Sequence, residues 1–193
     1  MRIIAGRFKS RTLQAPEGSD TRPTLSRTKE SLFSILFDAC LDARVLDLFA
    51  GSGALGFEAL SRGARSAVFC DAASSAVRAL KTNAAALGVE QETLIIKADW
   101  QRTLRQLHEQ DRQFDLIFID PPYKVPVMPI MKMLDDMQLL SKSGIMVVEH
   151  AADVQVSSTS RYSVYDIRRY RDTSLTFLRR DGDHESGDLP GFI

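Results

Sequence analysis

The residues best equipped for chemistry are Asp120-Pro121-Pro122-Tyr123, directly after the apolar run Phe114-Asp115-Leu116-Ile117-Phe118-Ile119. That run predicts a buried strand that carries a carboxylate to its C-terminal tip. Proline holds the residue before it in extended geometry, so Asp120 and Pro121 both stay out of the helical region. Neither proline has an N–H, and the turn offers acceptors alone: the carboxylate and two carbonyls. Tyr123 adds a flat apolar ring with a polar tip. Such acceptors can take the hydrogens of an exocyclic amino group while the ring stacks on the base that carries it. The chemistry implied is methylation of a nucleobase amine.

A second constellation lies upstream. Each of the first four predicted strands ends in an acid or is followed by one: Asp47, Asp71, Asp99 and Asp120. Open α/β sheets bind ligands outside the carboxyl ends of their strands, so four acids converge on one rim. Singly, each could be a helix N-cap. Gly51-Ser52-Gly53-Ala54-Leu55-Gly56 satisfies G-x-G-x-x-G, with Asp71 following the first glycine at the spacing of a dinucleotide fingerprint. Asp47 speaks against a dinucleotide, because it would stand where a pyrophosphate must approach. S-adenosylmethionine (SAM) instead brings an amino group to Asp47, a ribose diol to Asp71 and an adenine amine to Asp99. SAM is the better fit.

These residues need a scaffold, and the hydrophobic periodicity supplies one. Residues 2–14 read as a short β-hairpin or arm, and Leu25, Leu32, Phe33, Leu36, Phe37 and Cys40 recur at helical spacing from Thr24 onward. Strands are expected at 45–49, 67–70, 94–96, 116–119 and 145–148. Helices follow at 54–60, 73–87, 101–109 and 130–138, and a hairpin over 163–170 and 173–179 closes the chain. Continuous apolar strands alternating with helices predict a parallel sheet covered on both faces. The expected division is a basic arm over 1–23, one domain over 24–180 with its first helix at 24–41, and an acidic, disordered tail over 181–193.

Composition narrows the classes. Formal net charge is zero, yet residues 1–29 hold seven Lys or Arg against Glu17 and Asp20, and residues 161–180 hold six Arg against Asp166 and Asp172. Separate basic blocks point to a polyanion met by one surface. Cys40 and Cys70 lie in apolar segments without a C-x-x-C pair, which predicts reduced, buried thiols and no metal site. No run approaches a membrane span, and the expected location is cytoplasmic.

Asp47-Leu-Phe-Ala-Gly-Ser-Gly resembles the SAM loop of class I methyltransferases, and Asp120-Pro-Pro-Tyr resembles the catalytic motif of amino-group methyltransferases. Arg2-Ile-Ile-Ala-Gly-Arg, Arg22-Pro-Thr-Leu-Ser-Arg-Thr-Lys-Glu and Leu32-Phe-Ser-Ile-Leu resemble the start of the bacterial RsmD family, which methylates N2 of guanine 966 in 16S ribosomal RNA. The likeness runs from the arm to about Leu178. It implies a class I, Rossmann-like α/β fold with a mostly parallel seven-stranded sheet. Asp47, Gly51 and Gly53 would contact the methionine end of SAM, Asp71 the ribose, and Asp99 with Trp100 the adenine, with Phe49, Ala50 and Ser52 completing the cofactor-binding loop. Asp120, Pro121, Pro122 and Tyr123 would hold the target base. Arg2, Arg7, Lys9, Arg11, Arg22 and Arg27 would grip 16S rRNA, free or in a small-subunit particle. One departure stands out: Tyr170-Arg171-Asp172-Thr173 has Arg171 where the family's Y-G-x-T turn has glycine. Two other readings compete. One is a DNA adenine-N6 methyltransferase, disfavoured because 193 residues leave no room for a separate target-recognition domain. The other is a non-catalytic RNA-binding assembly factor, disfavoured because Asp47, Gly51, Gly53 and Asp120 are all intact.

Overall fold

A computed structural model describes residues 1–17 and 24–181, with the side chains of 24–27 left aside. Arg22, the side chain of Arg27 and the tail beyond Asp181 therefore lie outside the described residues. The elements are α1 (Thr24–Leu36), β1 (Arg44–Asp47), α2 (Ala54–Ser61), β2 (Ser66–Asp71), α3 (Ser74–Leu87), β3 (Thr93–Lys97), α4 (Trp100–Glu109), β4 (Phe114–Ile119), α5 (Val127–Asp136), β5 (Leu140–Ala151), β6 (Tyr162–Tyr170) and β7 (Thr173–Arg180). The seven strands form one sheet in the order β3-β2-β1-β4-β5-β7-β6. Neighbours from β3 to β5 are parallel, while β7 runs antiparallel to both β5 and β6.

Two apolar layers sandwich the sheet. Phe33, Phe57, Phe69, Leu80, Phe118 and Phe177 fill the layer beneath α1, α2 and α3. Leu104, Leu107, Ile130, Leu134, Val148 and Tyr162 fill the layer beneath α4 and α5. Because β1 to β5 are covered on both faces, their sequences read as continuous apolar runs rather than alternating ones.

Most boundaries move by a few residues from expectation, and two shifts have clear causes. Helix α5 begins at Val127 although Pro129 lies inside it. The first four N–H groups of a helix have no intrahelical acceptor, so a proline in that turn costs no bond. The first helix ends at Leu36 and a 3-10 turn, Phe37–Cys40, completes it.

The arm is the short hairpin expected: Arg2 bridges Thr12 antiparallel, the Ile3 N–H donates to the Arg11 carbonyl at 2.9 Å and the Leu13 N–H to the Met1 carbonyl at 2.7 Å. It is docked along α2. The buried Glu58 carboxylate accepts from the N–H groups of Ile4 and Ala5 at 2.8 and 3.0 Å and pairs with Lys29 at 3.1 Å and Arg62 at 2.9 Å. At Gly6, φ is +79° and a Cβ would come within 1.8 Å of the Ser61 carbonyl oxygen. Only glycine lets the arm lie this close to the helix.

Candidate functional site

The strand order reverses between β1 and β4, and in a doubly wound sheet the crevice at that switch lies beyond the strands' carboxyl ends. Here it is a cleft of about 1320 Å³, with a smaller chamber of about 190 Å³ beside it. Thr28, Phe49, Asp120 and Glu149 line both and form the shared wall.

The chamber is built from the loop after β1. Gly51 and Gly53 take φ of +54° and +78°, a left-handed geometry that glycine tolerates without cost. Their surroundings differ. A Cβ on Gly51 would meet nothing within 4 Å, whereas one on Gly53 would stand 2.5 Å from the Phe57 ring and 2.8 Å from Leu80. Gly51 thus leaves open space over the chamber, and Gly53 lets the loop sit on the core. Asn83, buried on α3, donates to the Ser52 carbonyl at 3.0 Å and fixes the loop from below.

Asp47 ends β1, is 3 % exposed, and accepts from the Gly56 N–H at 3.0 Å. Burial, reinforced by the charges of Asp120 and Asp71, pushes its carboxyl up to about 7 against that hydrogen bond. Asp71 ends β2 and braces two turns, accepting from Gly51 N–H at 2.9 Å and Ala73 N–H at 2.8 Å. Asp99 is the N-cap of α4, taking the Arg102 N–H at 2.8 Å, and half-buried Trp100 opens that helix. For Asp99 the capping alternative therefore holds, while the residue still lines the cleft together with Asp71 and Trp100.

Asp120, Pro121, Pro122 and Tyr123 line the cleft at the tip of β4, and Tyr123 is 66 % exposed. The Pro122 carbonyl accepts from the Val125 N–H at 2.8 Å, closing the turn. Of the two carbonyls expected to face a substrate, Pro122's is committed to the fold. Burial raises the Asp120 carboxyl to about 6.

Sequence reasoning missed Glu149. It stands on β5 directly beside Asp120, since Ile119 and Val148 are partners in the parallel ladder. Its burial and the neighbouring Asp120 charge push it up to about 8. The rule that found the four acids would have found this fifth one, had the strand been followed one residue further. His150 beside it is buried, with its ring nitrogens 2.8 Å from Thr176 Oγ1 and 2.9 Å from the Ala151 carbonyl, which leaves it a sheet residue.

The cleft's electrostatics are one-sided. Asp71, Asp99, Asp120, Glu149, Asp153 and Asp172 line it, with no Lys or Arg among the described lining residues. Such a wall repels a pyrophosphate and favours a cationic ligand. The basic residues of the arm are elsewhere. Arg7 pairs with Glu92 and lies over the Phe8 ring, and Arg11 donates to the Ala86 carbonyl near the end of α3. Those partners sit where helices end and strands begin, at the edge of the sheet opposite the acids. Lys9 is exposed in the same turn, while Arg2 lies nearer the chamber, its carbonyl accepting from Lys29 at 2.7 Å.

Comparison with known proteins agrees with this architecture. The family described as "Conserved hypothetical protein 95" matches residues 1–179. YlbH of Bacillus subtilis (strain 168) is 38% identical over 160 residues, 82% of this chain and 87% of that one. Ribosomal RNA small subunit methyltransferase D of Escherichia coli (strain K12) is 32% identical over 150 residues, 77% of this chain and 74% of that one. The solved yhhF chain from Escherichia coli superimposes with a TM-score of 0.82 at 29% identity, covering 93% of this chain and 97% of its own. The fold is that of the class I methyltransferases. With its match running from the arm through β7, the chain belongs to the RsmD family.

Proposed function

We propose that this protein transfers a methyl group from SAM to the exocyclic N2 amine of a guanine in 16S ribosomal RNA, free or within an assembling small-subunit particle, in the cytoplasm. The observation that carries the reading is the cleft wall: among the described residues it holds six carboxylates, no Lys or Arg, and an acceptor-only turn at Asp120. SAM would supply an electrophilic methyl on a sulfonium. The residues present fit it, because Asp47 in the chamber can face its ammonium group and the acidic wall its sulfonium, where a dinucleotide phosphate would be repelled.

The chain's own part is positioning. The guanine amine is a weak nucleophile, its lone pair shared with the ring. Asp120 and the Pro121 carbonyl accept its hydrogens, which favours a pyramidal nitrogen with the lone pair aimed at the methyl. Tyr123 covers the base, which must leave its stack to enter. As the bond forms, positive charge moves onto the nitrogen, where the fixed Asp120 carboxylate stabilises it. In its ionised form, Glu149 beside it gives the departing amine proton a place to rest. In-line alignment at contact distance supplies the remaining acceleration.

The test is incubation with undermethylated small subunits, protein-free 16S rRNA, and duplex DNA, each with labelled SAM, followed by nucleoside mass spectrometry. Label in N2-methylguanosine is expected. Label in N6-methyladenosine, or in duplex DNA alone, promotes the adenine reading, and a chain that binds RNA without transferring methyl is an assembly factor.

A further inference from the structure

An acidic cleft poses a problem for a polyanionic substrate, and the fold answers it on one lip. Six carboxylates in the wall admit a base but repel the phosphates on either side of it. Attraction must therefore come from cations on the rim. The turn between β6 and β7 lies there: Thr173 pairs with Ala151 just beyond Glu149, and Asp172 and Thr173 themselves line the cleft.

Three exposed arginines surround that turn. Arg168 is paired with Asp166 at 2.8 Å. Arg169 and Arg171 have no ion-pair partner among the described residues, and both are exposed. Cross-strand partners place Arg169 opposite Ser174 on one face of the edge strand, and Arg171 sits in the two-residue turn itself. The turn does not need glycine: Arg171 is not among the residues with positive φ, so its side chain is carried without strain. The turn is also braced. Tyr170 donates its hydroxyl to Ser31 Oγ on α1, and the Ala152 N–H donates to the Asp172 carbonyl at 3.1 Å.

We infer that the β6–β7 turn, through Arg169 and Arg171, holds the RNA phosphates that flank the target nucleotide. The inference rests on the ribosomal RNA reading and replaces the arm tip as the site of grip. Arg7 and Arg11 are engaged at the opposite edge of the sheet, whereas these two guanidiniums have no ion pair among the described residues and belong to the turn whose Asp172 and Thr173 line the cleft. Phosphate contacts of this kind position a substrate without reading its sequence.

The test measures the affinity of the full chain for protein-free 16S rRNA and for small-subunit particles across a salt series. Each phosphate contact on a single strand contributes about −0.7 to the slope of log affinity against log salt. Arg169→Ala/Arg171→Ala should weaken binding, most at low salt, and flatten the slope by about 1.4. Arg169→Lys/Arg171→Lys should recover most of the slope, because the charge releases the counterions. SAM titration of each variant by calorimetry verifies an intact site. A double alanine variant with wild-type slope and affinity overturns the proposal, as does an Arg7→Ala/Lys9→Ala/Arg11→Ala variant that alone flattens it. A wild-type chain that binds neither RNA probe at low salt sinks the ribosomal RNA reading itself.

Discussion

Replacing Asp47 by asparagine should move stability and cofactor binding in opposite directions. Asp47 is buried, and its carboxyl is raised from 3.8 to about 7. A carboxyl with a raised folded value contributes stability that is complete below its unfolded value and lost as pH climbs through the folded one. The ionised carboxylate thus costs the fold up to about 4 kcal/mol at pH 8. Asparagine keeps an acceptor for the Gly56 N–H and removes that charge, but its new NH2 costs about 1–3 kcal/mol where it finds no partner. The expected net gain at pH 8 is about 1–3 kcal/mol, read by urea unfolding. SAM binding should suffer. Between pH 6 and pH 7 the ionised fraction of Asp47 climbs from about one-tenth to about one-half, so wild-type SAM affinity should rise about fivefold over that unit from this group alone. Calorimetry of Asp47→Asn should show weak SAM binding with that rise gone. A variant less stable than wild type at pH 8, with unchanged SAM affinity and pH dependence, would refute both the buried-charge argument and the assignment of Asp47 to the ammonium.

Asp120→Ala should cut methyl transfer by about two to three orders of magnitude in single turnover while leaving SAM binding near wild type. In the wild type, the rate should rise with pH from about 5 to 8 as the Asp120 and Glu149 pair loses its protons, and Glu149→Gln should shift the midpoint downward in a pH–rate profile. Gly53→Val should lower both stability and SAM affinity, because its side chain meets Phe57 and Leu80; thermal melts with and without SAM measure the two effects. Glu58→Ala strands the buried Lys29 cation and two arm N–H groups, and should cost about 3–5 kcal/mol in chemical denaturation, with early proteolysis of the arm.

The acids at the strand tips were legible because strand ends in a parallel sheet are marked locally: an apolar run, then a carboxylate. Glu149 bears the same mark and was passed over: β5 opens on Leu140 and the polar Ser141-Lys142-Ser143-Gly144 and continues past Glu149 to Ala151, so this acid lies within its strand and not at the tip. The arm's position escaped for a different reason. Its docking depends on Glu58, the one charged residue of α2, whose partners Ile4, Ala5 and Lys29 lie far off in sequence. Basic residues near the N-terminus look alike whether they face a substrate or a neighbouring helix. Charge counting finds a basic block, and only tertiary packing tells which end of the sheet it occupies.

The place of β7 has a consequence in time. The last strand made is threaded between β5 and β6, so β6 has no partner in the sheet until residues 173–180 arrive. During synthesis the first five strands can pair as they emerge, yet β5 then presents an open edge beside Glu149. Such unpaired edges invite misassembly in a nascent chain, and late non-local pairing is slow. The lip of the cleft forms in the same final step as the strand that closes the sheet. A chain still attached to the ribosome that made it would hold Asp47, Asp71, Asp99, Asp120 and Glu149 without the turn that completes their rim.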